Sequence, residues 1–176
     1  MLIGSKITLG PVLTGDSAVL FSWFNQLSLA STSGPFRPLD EVKFNQWMAG
    51  LGGDPAKVIF AIRANERLRL LGYVQITNIN PVVRSAEIGL AIGEAVERGK
   101  GFGGEALALA VRYCWTELNL NRVALFVLSN NPAAMRLYRK VGFETEGVMR
   151  QAAYSDGQLH DVTVMAMLRP DGAAPG

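Results

Sequence analysis

The segment Arg98-Gly99-Lys100-Gly101-Phe102-Gly103-Gly104 carries the residue types that hold phosphate. Glycines let a backbone turn tightly and let a ligand approach the amides closely. A helix starting there presents N–H groups without intrahelical partners at the positive end of its dipole, a ready anion site. Arg98 and Lys100 would add charge. Two phosphate motifs are excluded. A P-loop ends in Gly-Lys-Ser/Thr, whereas Gly104 is followed by Glu105 and Ala106. Gly99, Gly101 and Gly104 do match the dinucleotide spacing. That fold, however, needs an acid about 20 residues on, and residues 118 to 143 contain none.

A second group lies downstream. Asn131 and Pro132 form a helix start, an N-cap followed by proline at the first helical position, and Gly142 is the stop. Ala134 and Tyr138, four apart, share a face of that helix. The Tyr138 hydroxyl could donate a proton, or its ring could simply fill the core. Glu87 is an acid in an otherwise apolar stretch, suited to take a proton or to face solvent or an arginine. His160, the single histidine, sits beside Asp161 where a turn meets a strand, and a hairpin role suits it better than catalysis. Cys114 is the single cysteine and falls in an apolar helical pattern, so it reads as a buried thiol and no intrachain disulfide forms.

Alternation and breaker residues place these groups on elements. A strand is expected at Lys6–Val12, a helix from Asp16 or Ser17 to about Leu27, and a long loop over Ser28–Pro38. A second helix follows at Leu39–Met48. Lys57–Arg63, Arg69–Thr77 and Ser85–Ile92 read as an antiparallel meander, because their connections are short. Gly103–Leu118 is a helix, Arg122–Leu128 a strand and Pro132–Val141 a helix. Strands at Phe143–Arg150 and Asp161–Leu168 flank a turn at Ser155-Asp156-Gly157. The order is βααβββαβαββ, a mixed α/β domain on one mostly antiparallel sheet of about seven strands with flanking helices.

The chain has 176 residues, 49% hydrophobic and 18% charged, the balance of one globular domain. That domain is expected over residues 1–168, followed by a mobile tail at 169–176. A net charge of +2 gives no reason to expect nucleic acid as a partner. Between Glu117 and Glu144 there is no acid, while Arg122, Arg136, Arg139 and Lys140 fall there. That half could attract a polyanion or present a solvated basic face. No apolar run is long enough to span a bilayer and the start lacks a signal-peptide core, so a cytoplasmic protein without a membrane partner is expected. The open edges of such a sheet make a homodimer reasonable.

Arg98-x-x-Gly101-x-Gly103 resembles the pyrophosphate loop of the GNAT acetyltransferases. Asn131-x-x-Ala134-x-x-Leu137-Tyr138-x-x-x-Gly142-Phe143 resembles that family's second cofactor motif. The flanks agree: Ile7 to Pro11, Glu87 to Ile92, Gly147-x-x-Arg150 and Asp156-Gly157-x-x-x-Asp161 resemble the branch that includes the ribosomal-protein N-terminal alanine acetyltransferases. The resemblance spans nearly the whole chain and is weakest over residues 15–55. Gly10 stands where that branch often has arginine.

The resemblance implies an acetyl-CoA-dependent N-acetyltransferase that uses no metal and forms no acyl-enzyme. Pantetheine would lie along Leu90, Ala91 and Ile92, where two strands splay. The pyrophosphate would rest on Arg98 to Gly104, with Asn131 and Arg139 also touching the cofactor. Tyr138 matches the family's general acid, and Glu87 is the best candidate base, although a dedicated base is not required. Phe36, Arg37 and Tyr154 would shape the acceptor pocket. A protein N-terminus leads as acceptor by the branch resemblance. A small-molecule amine such as an amino sugar, polyamine or aminoglycoside is the alternative, and a non-catalytic acyl-CoA-binding domain is a further one. Residues 17–39 contain no acid, which speaks mildly against a polyamine.

Overall fold

The computed structural model describes residues 1–26, 37–155 and 157–170. Strands β1 (Leu2–Ile3) and β2 (Ile7–Gly10) lead through a 3-10 turn at Thr14–Asp16 into α1 (Ser17–Phe24). After α2 (Glu41–Ala49) comes the meander β3 (Val58–Ala64), β4 (Leu70–Asn80) and β5 (Ser85–Ile92). Then follow α3 (Phe102–Thr116), β6 (Arg122–Leu128), α4 (Pro132–Val141), β7 (Glu144–Ser155) and β8 (Gln158–Leu168).

The described strands form one sheet of eight, in the order β1-β2-β3-β4-β5-β6-β8-β7. All pairings are antiparallel except β5 with β6. The exception follows from chain length: α3 carries the chain back along the sheet between them, and such a crossover returns a strand parallel. The expected mixed α/β architecture is therefore present. Its strand count is eight rather than about seven, because Leu2–Ile3 is too short to show a period in sequence. The first helix stops at Phe24, short of the expected Leu27. The last hairpin is longer than expected: β7 continues through a bulge, with Gln151 at φ 51°, to Ser155.

Side-chain alternation builds a core on each face of the sheet. Val74 and Ile76 of β4 point to the main core with Ile7, Ile62, Ile88, Val123 and Met165, against Leu107, Ala110 and Cys114 of α3. Tyr73, one residue before Val74 and so out of phase with both, points the other way and packs on Leu20, Trp23 and Phe44 of α1 and α2. The second face is anchored by a buried pair: Arg63 on β3 donates to both Asp16 oxygens, at 3.0 and 2.6 Å. Asp16 also accepts the Leu13 N–H at 2.7 Å, which fixes the chain's entry into α1. No helix of the described residues is long and apolar enough to cross a membrane. Phe36, most of the 28–38 loop, Asp156 and tail residues 171–176 lie outside the described residues.

Candidate active site

Strands β5 and β6 share three rungs, Ser85 with Arg122, Ala86 with Val123 and Glu87 with Ala124, and then part. Beyond that point β5 pairs with β4 as far as Ile92, and β6 pairs with β8 as far as Leu128. Past Glu87, the β5 backbone groups that face β6 have no strand partner. Buried backbone groups need partners, so this wedge suits a ligand carrying amides of its own. The far end of β5 is held by Trp23, whose indole N–H donates to Glu94 Oε1 at 2.9 Å. A side chain at Gly93 would run into the Trp23 ring, so only glycine fits there. Leu90, Ala91 and Ile92, all half-buried, line the β5 wall of the wedge.

The glycine loop turns from the end of β5 into α3. Gly99 and Gly101 have φ of 78° and 91°, the left-handed region that glycine enters without strain. Gly101 is the N-cap of α3, and the first intrahelical bond runs from Glu105 N–H to the Gly101 carbonyl at 3.1 Å. The amides of Phe102, Gly103 and Gly104 are therefore free at the helix start. Gly103 and Gly104 do a different job. A Cβ at either would sit 3.3 Å from Leu90 Cδ1 or 3.2 Å from Leu137 Cδ1, so small residues let α3 close onto β5 and α4.

The two cations of the loop are engaged within the protein. Arg98 folds back and donates to the carbonyls of Ile92 and Gly93, at 3.2 and 3.1 Å, bracing the end of β5. Lys100 pairs with Glu97 at 2.9 Å, and Arg69 pairs with the same carboxylate at 2.7 Å. The hydrogen bonds from Lys100 and then Arg69 hold Glu97 below the usual carboxylate range. Sequence reasoning missed Lys6, whose Nζ donates to the Lys100 carbonyl at 3.3 Å from the far end of the chain. The only sequence signal was a lysine ahead of the first strand, which carries no direction.

Helix α4 has the caps that its sequence predicts. Asn131 Oδ1 accepts the Ala134 N–H at 3.1 Å, and Gly142 ends the helix at φ 116°. Tyr138 is 9% exposed, within the main core and 6.1 Å from Phe143 between ring centres. Burial raises its pKa above the ordinary tyrosine value. Arg139, on the same helix, is exposed. Glu87 lies half-buried at the last shared rung, on the face opposite Ala86 and Ile88. Arg37 is exposed, and Tyr154 is 51% exposed on β7. His160 bridges the hairpin to the loop before α4: Nδ1 lies 3.1 Å from Asn130 Nδ2 and Nε2 3.2 Å from the Ser155 carbonyl. Cys114 is fully buried, and burial pushes its thiol up to about 12.

A wedge between two parallel strands, with a glycine-turned helix start packed beside it, offers room for an elongated, anion-bearing ligand. Comparison with known proteins gives the class. Residues 6–144 match the model of the acetyltransferase (GNAT) domain. A spermidine N(1)-acetyltransferase of Vibrio cholerae is 29% identical over 171 residues, 95% of each chain. A putative ribosomal N-acetyltransferase of Bacillus subtilis is 34% identical over 57% of this chain and 54% of its own length. The crystal structure of spermidine N-acetyltransferase from Vibrio cholerae in complex with CoA and spermine superposes with a TM-score of 0.87 at 28% identity, covering 94% of this chain and 96% of that one. The chain belongs to the GNAT acetyltransferase family and is an acyltransferase.

Proposed function

We propose that the protein transfers an acetyl group from acetyl-CoA directly to the primary amine of a small aliphatic molecule. The observation that carries this reading is the parting of β5 and β6 after Glu87, with the free amides of α3 at its mouth. Acetyl-CoA would supply the activated thioester carbonyl. The residues fit such a donor: Leu90 to Ile92 would flank its amide-bearing arm, and the Phe102, Gly103 and Gly104 amides would meet its phosphates. Arg98 would act by holding the carbonyls that end β5, while Asn131 and Arg139 would lie along the cofactor's other side.

The chain's own groups divide the proton work. Glu87 takes a proton from the incoming ammonium, directly or through water, and leaves a nucleophilic nitrogen. The nitrogen–carbon bond forms as the carbon–sulfur bond breaks; Tyr138 gives its proton to the departing sulfur, and the nitrogen's second proton restores the tyrosine hydroxyl through solvent. A pKa raised by burial keeps that hydroxyl protonated at neutral pH. No cysteine is needed as a nucleophile, and Cys114 as a buried, protonated thiol could not serve as one.

A small amine is favoured over a protein N-terminus because the match to the spermidine acetyltransferase covers 95% of this chain. The second reading, a protein N-terminus, draws on the putative ribosomal enzyme, whose similarity covers 57% of this chain. A panel of alkylamines, polyamines, amino sugars and peptides with free N-termini separates the two. Release of free CoA thiol should be fastest with a small aliphatic amine. Turnover confined to peptide N-termini would overturn the small-molecule reading.

A further inference from the structure

We infer that Gln75 sets the charge of the acceptor, selecting amines with a single positive charge over polyamines; this rests on the reading of the wedge as the acyl-transfer site. Gln75 on β4 is paired with Gly89 on β5, and Thr77 with Glu87. These rungs share the face opposite the main core, to which the alternate residues Val74 and Ile76 point. Gly89 is the first residue on that face after the strands part. Having no side chain, it leaves room that Gln75 takes: Gln75 Nε2 and Cγ lie 3.5 and 3.7 Å from where a Gly89 Cβ would stand.

The Gln75 side chain is half-buried. No hydrogen bond among the described residues uses it, and the one buried side-chain polar atom there without a partner is Arg169 Nε. Across the parting, Phe126 on β6 alternates with the core residues Leu125 and Val127, so it turns to the same face and is 48% exposed. Around the parting, the described residues Glu87, Gln75 and Phe126 thus offer a carboxylate, a neutral amide and an apolar ring on one face. A carboxylate answers one ammonium; the amide can satisfy an N–H or hydroxyl but cannot balance a second charge. An acceptor with one cationic nitrogen and an apolar body fits this chemistry.

The test compares two acceptors of equal chain length, hexylamine and 1,6-diaminohexane, on the wild type, Gln75→Glu and Gln75→Ala. The wild type should prefer hexylamine. Gln75→Glu is nearly isosteric and adds the missing charge, so the ratio of kcat/KM should swing toward the diamine by roughly tenfold at low salt and less at high salt. Gln75→Ala should raise the KM for amines and leave kcat and acetyl-CoA affinity nearly unchanged. A ratio that Gln75→Glu does not move would overturn the inference while leaving amine acetylation intact. Calorimetric binding of both amines to the CoA-saturated proteins reads the same ratio without turnover. An absence of acetyl transfer to any amine therefore strikes the functional reading, and an unchanged binding ratio strikes this one.

Discussion

Glu87 and Ala124 form the last rung that β5 and β6 share, and the side chain on that rung is a carboxylate. An acid placed where two strands part stands at the inner end of the wedge, where the proposed function would bring the acceptor to the thioester. Glu87→Gln keeps the size and removes the base. Turnover should fall by about 10²-fold or more, with acetyl-CoA affinity unchanged. Steady-state rates beside calorimetric titration of acetyl-CoA check this. Turnover within a factor of about two would give proton removal to water alone.

The left-handed φ of 91° at Gly101 predicts two separable effects. Gly101→Ala should cost about 1–2 kcal/mol of stability from backbone strain and keep the anion site. Gly101→Asp should also remove the thermal shift that acetyl-CoA produces, by setting a carboxylate against the phosphates. In the wild type that stabilisation should reach about 2.7 kcal/mol at a ligand concentration of 100 Kd. Equal shifts in Gly101→Asp and the wild type would place the phosphates elsewhere.

The buried pair of Arg63 and Asp16 gives a prediction about stability alone. Their side chains are 12% and 8% exposed. Asp16→Ala leaves a buried guanidinium without its partner and frees the Leu13 N–H, so a loss of about 3–5 kcal/mol is expected in urea unfolding. Changing both residues together should cost less than the sum of the single changes. Full additivity would mean that the pair is not coupled.

Cys114 links burial to pH. Its thiol is raised from an ordinary 9.0 to about 12 by burial. A raised folded-state value favours the protonated form, so its contribution to stability is full below about pH 9 and is lost as the pH climbs toward 12. Cys114→Ala should therefore lose less stability than the wild type over that window. An aromatic disulfide reagent should leave the native thiol untouched at pH 8 and label it at once in urea. Rapid labelling of the folded protein would contradict the burial.

Much of this arrangement was legible in the residues. Ser85–Ile92, Arg122–Leu128 and Pro132–Val141 have the expected bounds, because breakers or caps mark their ends and their periods are clean. The β7 bulge was not legible: Gln151 is no turn signal, and its left-handed φ answers to pairing across the hairpin, where its N–H donates to Asp161 at 2.8 Å. The glycine loop and the α4 caps could be read because they are local. Gln75 and Lys6 could not, since each gains meaning from a strand or loop that the sequence does not place beside it. The folding-back of Arg98 onto the Ile92 and Gly93 carbonyls was equally hidden. A guanidinium near a phosphate loop suggests a ligand contact, and its backbone bond depends on the exact path of the turn.

The most direct test of the central claim, acetyl transfer completed by Tyr138 at the wedge, is turnover of Tyr138→Phe on the best amine of the panel. Phenylalanine keeps the ring that packs on Phe143 and deletes only the donor. Turnover should fall by about 10²- to 10⁴-fold while acetyl-CoA binding and thermal stability stay close to the wild type. A mutant that releases CoA thiol at the wild-type rate, with chemistry shown to be rate-limiting, would contradict the claim and leave Tyr138 as a packing residue.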